Sequence, residues 1–224
     1  MISHKYKCIF IHIPKTAGSS VEKKLGLFNE LYWGAQDHST IKDIQPITFS
    51  TAFMILTRQH EGLSRRTILK KILKAYIHNS MRISKKSYKT YFKFTIVRNP
   101  WDRIYSLYKN AMCDPRHGIP NCDFITYIRE HGDNWALKPQ TYWITDFNNK
   151  IPLDLIVKFE NLAKEMPQVL RRLGFSDTTL PHLLDSSKSD RKSKNFRDVY
   201  DSYSVEIIAE RYREEIALFG YRFE

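Results

Sequence analysis

Apolar residues along this chain form two kinds of run. Short continuous runs rich in β-branched and aromatic residues, such as Cys8-Ile9-Phe10-Ile11-His12-Ile13, predict strands over about 7–13, 92–97 and 154–159. Each is followed by apolar residues at three-to-four spacing, which predicts helices over about 18–25, 100–112 and 160–173. A closing helix over about 203–218 carries Val205, Ile208, Ala209, Tyr212, Ile216 and Phe219 at core spacing. This strand–helix alternation predicts an α/β fold of three layers, with a central parallel sheet flanked by helices on both faces. Ligands of such folds gather at the carboxyl ends of the strands. No internal repeat or linker divides the chain, so a single domain over 1–224 is expected.

One segment stands apart, at about 46–88. It holds a predicted amphipathic helix over about 64–79, with Ser64 able to cap it and Ile68, Leu69, Ile72, Leu73, Tyr76 and Ile77 at helical spacing. The simplest expectation is a surface helix packing that apolar stripe on the domain. A lid or dock for an anionic or lipid-linked acceptor, including peripheral membrane contact, stays open beside it. Nucleic-acid binding is not expected, because no nucleic-acid motif accompanies the charge.

Charge sharpens this picture. The 36 Lys and Arg outnumber the 24 Asp and Glu, for a net charge of +12, which calls for acidic partners. Between Arg58 and Lys89 the only acid is Glu61. With 42% apolar residues among 224, the chain can bury a sizeable core, and no apolar run approaches the ~20 residues of a membrane span. A soluble cytoplasmic protein is expected on that basis.

Candidate chemistry begins where the first strand ends. Ile13-Pro14-Lys15-Thr16-Ala17-Gly18-Ser19-Ser20 runs from a strand through a tight turn into a helix. Unpaired amides and the positive end of the helix dipole converge there, and Lys15 adds a full charge, so an anion such as phosphate should sit on the loop. The lysine precedes the glycine, unlike the Gly-Lys-Ser/Thr ending of nucleoside-triphosphate loops, and no Gly-x-Gly-x-x-Gly is present. An ATP-dependent phosphotransferase or a non-catalytic anion or nucleic-acid binding module would still be compatible with this loop alone.

A second block follows the strand at 92–97. Arg98-Asn99-Pro100-Trp101-Asp102-Arg103-Ile104-Tyr105-Ser106 starts a helix with Pro100 in its first turn, Arg98 at the sheet edge and Ser106 two turns along. An arginine fork and a hydroxyl suit a phosphate monoester. Together the two blocks resemble the 5′-phosphosulfate loop and the 3′-phosphate site of sulfotransferases that use 3′-phosphoadenosine 5′-phosphosulfate (PAPS). Leu137-Lys138-Pro139-Gln140-Thr141, the stretch Asp154–Leu162 and the tail Asp198–Phe223 extend the resemblance to most of the chain. The subgroup it most resembles is the carbohydrate-type sulfotransferase family 2, with bacterial-type members, relative to which 46–88 reads as an insertion.

That resemblance implies a P-loop-like three-layer fold and metal-independent sulfuryl transfer from PAPS, releasing PAP, to a hydroxyl of an acceptor, most naturally a glycan or glycolipid. It assigns Lys15 and the loop residues Thr16, Ala17, Gly18, Ser19 and Ser20 to the 5′ end. Arg98 and Ser106 go to the 3′-phosphate, with Lys188 and Arg191 in a loop closing over the cofactor. There the chain departs from the family, since Leu183-Leu184-Asp185 stands where an asparagine is common. His38 falls in the catalytic-base region, where Asp37 or a neighbouring carboxylate is available to orient the ring. His12 is expected to be a packed strand residue, and Glu22 either an ordinary first-turn acid or a supporting partner. Tyr32, Trp33, Trp135, Tyr142 and Trp143 are candidates for sugar stacking.

The three cysteines make no disulfide framework in a chain this long. Pairing of Cys113 with Cys122 is left open. A metal site from Cys113, Cys122 and His117 is not expected, because the paired spacings of structural zinc sites are missing.

Overall fold

A computed structural model of the chain describes residues 1–28, 36–57, 64–181 and 195–223. Its sheet has four strands in the order β1 (Ile2–Ser3), β2 (Cys8–Ile11), β3 (Phe92–Val97) and β4 (Leu155–Lys158). β2, β3 and β4 run parallel, with Phe10 opposite Phe94 and Thr95 opposite Ile156. β1 adds a two-residue antiparallel edge, too short to leave any periodicity in the sequence.

The helices are α1 (Gly18–Lys24), α2 (Phe49–Thr57), α3 (Arg65–Arg82), α4 (Lys85–Thr90), α5 (Pro100–Cys113), α6 (Phe124–Glu130), α7 (Gln140–Ile144), α8 (Leu162–Arg172), α9 (Ser202–Arg211) and α10 (Arg213–Phe219). Alternation along β2 assigns them to layers. Ile9 and Ile11 face a core built with Trp101, Ile104 and Leu107 of α5 and Ile208 of α9. Cys8 and Phe10 face the other core, with Val21 of α1 and Met166, Val169 and Leu170 of α8. Helices therefore cover both faces of a mostly parallel sheet, as the strand–helix order requires. Phe10 and Phe94 touch across the register with ring centroids 5.0 Å apart; truncating either to alanine would cost about 3–5 kcal/mol.

The closing helix is not continuous. It breaks at Tyr212, whose ring is buried and whose hydroxyl donates to the carbonyl of Leu137 at 2.5 Å.

The basic helix forms with Ser64 capping it, its hydroxyl accepting from the Thr67 N–H. Its apolar stripe does not all pack down, however. Ile68 and Ile72 are buried against Ile47, Ala52, Ile55 and Phe147, whereas Leu69, Leu73, Tyr76 and Ile77 stay about half exposed. The body beneath offers only that small apolar patch. The helix is instead pinned by buried Asn79, whose amide donates to the carbonyls of Lys42 and Gln45 at 2.8 and 2.7 Å. Among the described residues no helix is long and apolar enough to cross a membrane.

Candidate active site

The loop after β2 takes a shape that side-chain sequence alone does not demand. Lys15 and Ala17 both have left-handed backbones, with φ of 68° and 66°, which disfavours residues with a Cβ by ~1–2 kcal/mol each. Thr16 between them is fully buried and its hydroxyl donates to the Ile13 carbonyl at 2.8 Å, holding the turn closed. Gly18 then starts α1. A Cβ at that position would lie 1.9 Å from Cδ2 of His12, so the histidine ring occupies the space and only glycine fits. Ser19 is buried, and Ser20 is half-buried with its N–H on the Ala17 carbonyl.

Because β2 and β3 are neighbours, the loops after them meet. Arg98 donates from Nη1 to the Lys15 carbonyl at 3.0 Å and from Nε to Asp102 at 2.8 Å, and its guanidinium lies over the Phe159 ring, 4.1 Å from the centroid. Lys15 reaches the other way, with Nζ 3.3 Å from Oδ1 of Asn110. Asp102 and Asn110 are eight residues apart on α5, and Ser106 stands midway on the same helical stripe. Ser106 thus sits on the α5 stripe that carries the partners of both cations. Burial, followed by the charges of Arg98 and Lys109, pulls the Lys15 ammonium down to about 8. Cations crowded this closely repel one another, and an anion between them would relieve the repulsion.

A backbone frame holds Arg98 in place. Its N–H donates to Oε1 of Gln140, and the Gln140 amide donates to the Arg98 carbonyl, both at 2.8 Å. Fully buried Glu215 accepts from the same amide at 3.0 Å and from the Gln140 N–H.

His38 arrives from the opposite side. Its Nδ1 lies 3.0 Å from the carbonyl oxygen of His12, and the two rings are 4.2 Å apart. Trp135, half exposed, and Trp143, buried, approach the His38 ring at 5.4 and 6.1 Å. Burial and then the neighbouring His12 lower His38 to about 4, so the ring is neutral at pH 7. Among the described residues no carboxylate hydrogen-bonds the ring. Asp37 is engaged elsewhere, with Arg82 at 2.9 Å and the Met1 amino group at 3.2 Å.

Glu22 links the two sides. It is fully buried on α1, accepts the Asp37 N–H at 3.1 Å, and places Oε2 3.0 Å from Nδ1 of His12, off the line that a hydrogen bond requires. Burial raises Glu22 to about 7 and lowers His12 to about 3, so this contact joins a neutral imidazole to a carboxyl rather than two full charges. His12 is packed as expected, though one residue past the end of β2, and Glu22 lies beyond the first turn of α1 as a buried acceptor for the Asp37 N–H.

The pattern of the whole chain decides the family. Residues 1–222 match the model of the sulfotransferase family. The chain belongs to that family. Among curated relatives, the chain is 23% identical to carbohydrate sulfotransferase 10 of Rattus norvegicus and of Mus musculus over 259 aligned positions. The alignment takes in 99% of this chain and 66% of those proteins, so the chain spans about two thirds of their length. It is also 26% identical over 118 residues to an uncharacterized protein of Archaeoglobus fulgidus, covering 53% of this chain and 92% of the other. No solved structure matches the chain significantly.

Of the residues singled out from sequence, Lys15 through Ser20, Arg98 and Ser106 come together, and His38 joins them through His12. Lys188 and Arg191, like Tyr32 and Trp33, lie outside the described residues. Trp143 is too buried to offer a stacking surface, while Tyr142 is half exposed. Cys113 and Cys122 are free thiols. Asn110, Gln140 and Glu215 were not marked as site residues. Gln140 had one signal, its place in the Pro139-Gln140-Thr141 stretch, and Asn110 had the four-residue step from Ser106.

Proposed function

We propose that this sulfotransferase moves a sulfuryl group from PAPS to a hydroxyl of a carbohydrate or glycoconjugate, as one unit over 1–224 with an insertion at 46–88. The observation that carries this is the hydrogen bond from Arg98 to the Lys15 carbonyl, which joins two anion-binding loops into one cationic site. The donor set fits the ligand: Lys15, Arg98 and Lys109 supply charge at two ends of a stripe centred on Ser106, where Asp102 pairs with Arg98. Metal ions are not needed for charge neutralisation in such a site. The carbohydrate class of acceptor is taken from the relatives that are carbohydrate sulfotransferases.

When bound, PAPS supplies an activated sulfuryl group on a phosphate leaving group. The amides of Thr16, Ala17, Gly18 and Ser19 bind the 5′-phosphate at the start of α1, and Ser20, whose N–H is held by the Ala17 carbonyl, adds its hydroxyl. The Lys15 ammonium stabilises charge growing on the bridging oxygen, a role of the oxyanion-hole type. Arg98 and Ser106, with Lys188 and Arg191, hold the 3′-phosphate. His38 takes the acceptor's hydroxyl proton on Nε2, since Nδ1 is committed to the His12 carbonyl. Trp135, half exposed beside that ring, gives the acceptor an apolar face to lie on. The three free thiols suit a cytoplasmic, reducing setting.

Thermal denaturation with PAP, and separately with ATP and magnesium, tests the donor, and transfer of labelled sulfate from PAPS to glycan acceptors tests the reaction. Stabilisation by micromolar PAP with label in the glycan is expected. Stabilisation by ATP and magnesium alone would make the chain a phosphotransferase, and no response to either nucleotide would leave a non-catalytic anion binder.

A further inference from the structure

The outward face of the inserted helices has no role in this chemistry. On α3, Leu69, Leu73, Tyr76, Ile77 and Met81 recur on a side turned away from buried Ile68, Ile72 and Asn79, with Leu73 59% and Met81 83% exposed. On α2, which packs against α3, Phe49 and Phe53 stand at i and i+4, 98% and 67% exposed. An apolar display of this kind on a soluble surface marks an interaction site.

Its charge narrows the partner. Within α3 there are Arg65, Arg66, Lys70, Lys71, Lys74 and Arg82 and no acid. Lys70 and Lys74 share an open groove of about 410 Å³ with Leu73, Ile77, His78 and Met81, so cations and apolar tips lie side by side. That arrangement matches the interface of an anionic bilayer, where aliphatic tips enter the acyl boundary while lysines meet headgroup phosphates. A second copy of the chain fits poorly, because a two-fold contact would set the same lysines against each other. Single-stranded nucleic acid fits poorly as well, since Leu, Ile and Met give bases no stacking platform.

We propose that the outward faces of α2 and α3 dock the protein onto anionic lipid membranes, peripherally and reversibly. The surface is independent of Lys15 and Arg98, so this docking stands or falls separately from sulfuryl transfer. Each lysine near an anionic surface contributes about fivefold in binding.

The test is cosedimentation of the intact protein with vesicles of phosphatidylglycerol and phosphatidylcholine, or of phosphatidylcholine alone, at low and high salt. Binding to the anionic vesicles that weakens with salt is expected. A Lys70→Gln, Lys74→Gln variant should bind about 25-fold more weakly, and a Leu73→Asp, Ile77→Asp variant should lose binding while keeping the wild-type thermal midpoint and PAP affinity. Lys15→Ala should sediment like the wild type. Absence of sedimentation, equal binding to both vesicle types, or indifference to both double variants would overturn the proposal. So would concentration-dependent dimerisation that Leu73→Asp abolishes, or salt-sensitive capture of single-stranded DNA in place of vesicles.

Discussion

His38 donates its Nδ1–H to the carbonyl oxygen of His12 across 3.0 Å, and this bond determines which ring nitrogen can accept a proton. A carbonyl oxygen is only an acceptor, so Nδ1 must carry the hydrogen and Nε2 keeps its lone pair. Burial lowers the ring to about 4, which keeps it unprotonated at neutral pH. Replacing His38 with alanine is expected to lower turnover by at least ~10²-fold while PAP affinity, measured by calorimetry, stays unchanged. A variant that turns over at the wild-type rate would remove His38 from the reaction.

Lys15 and Arg98, proposed to hold opposite ends of one nucleotide, differ in attachment. Arg98 is fixed by Asp102, the Lys15 carbonyl and Gln140, whereas the Lys15 ammonium reaches Asn110. Lys15→Ala should abolish transfer. Arg98→Ala should chiefly raise the dissociation constant for PAP. Small and equal effects of the two on both quantities would refute this division.

Affinity for PAP should depend on pH through Lys15. Burial and its cationic neighbours bring the ammonium down to about 8, so the free protein loses this charge as pH rises through that value. Binding should therefore weaken between about pH 7 and 9, and Lys15→Arg, which does not titrate there, should flatten the profile. Parallel profiles for the two proteins would count against Lys15 as the titrating group.

Gly18→Ala should damage the site from a distance. The added methyl would collide with the His12 ring, and overpacking of this kind costs about 1–3 kcal/mol. Since His12 carries the carbonyl that orients His38, turnover should fall together with the thermal midpoint. Retention of both would mean that the ring moves freely.

Glu22 gives a stability signature with a definite sign. Its folded-state value is raised from 4.5 to about 7, so between those pH values the folded protein holds a proton that the unfolded chain has released. That contribution is full below about 4.5 and is lost as pH rises through 7. His12 and His38, lowered to about 3 and about 4, act in the opposite direction, losing their contribution as pH falls from 6.5. Glu22→Gln removes only the first effect, so relative to wild type the variant should be more stable at pH 8 than at pH 5 in urea melts. An unchanged difference would contradict a buried, ionising Glu22.

Much of this could be read directly from the chain. The parallel strands, their following helices and the two loops are local patterns: β-branched runs, a Gly/Ser turn, a proline in a first turn. The capped basic helix was legible for the same reason, as Ser64 and its target Thr67 are three residues apart. Neighbouring strands with loops at the same sheet edge then bring Lys15 and Arg98 together, although they are 83 positions apart. The contacts that tune the site have no such signature. Lys15 meets Asn110 across 95 positions, Gln140 meets Glu215 across 75, and His38 meets a backbone carbonyl that no side-chain identity reveals.

The sequence by itself determined which residues carry charge, hydroxyls and turns, because those properties belong to the residue and its nearest neighbours. Tertiary structure alone decided which half of the α3 stripe is buried, why Gly18 must be glycine, and which nitrogen of His38 is left to take a proton. Burial and hydrogen-bond partners are properties of whatever surface folds against a residue, and that surface is assembled from distant parts of the chain.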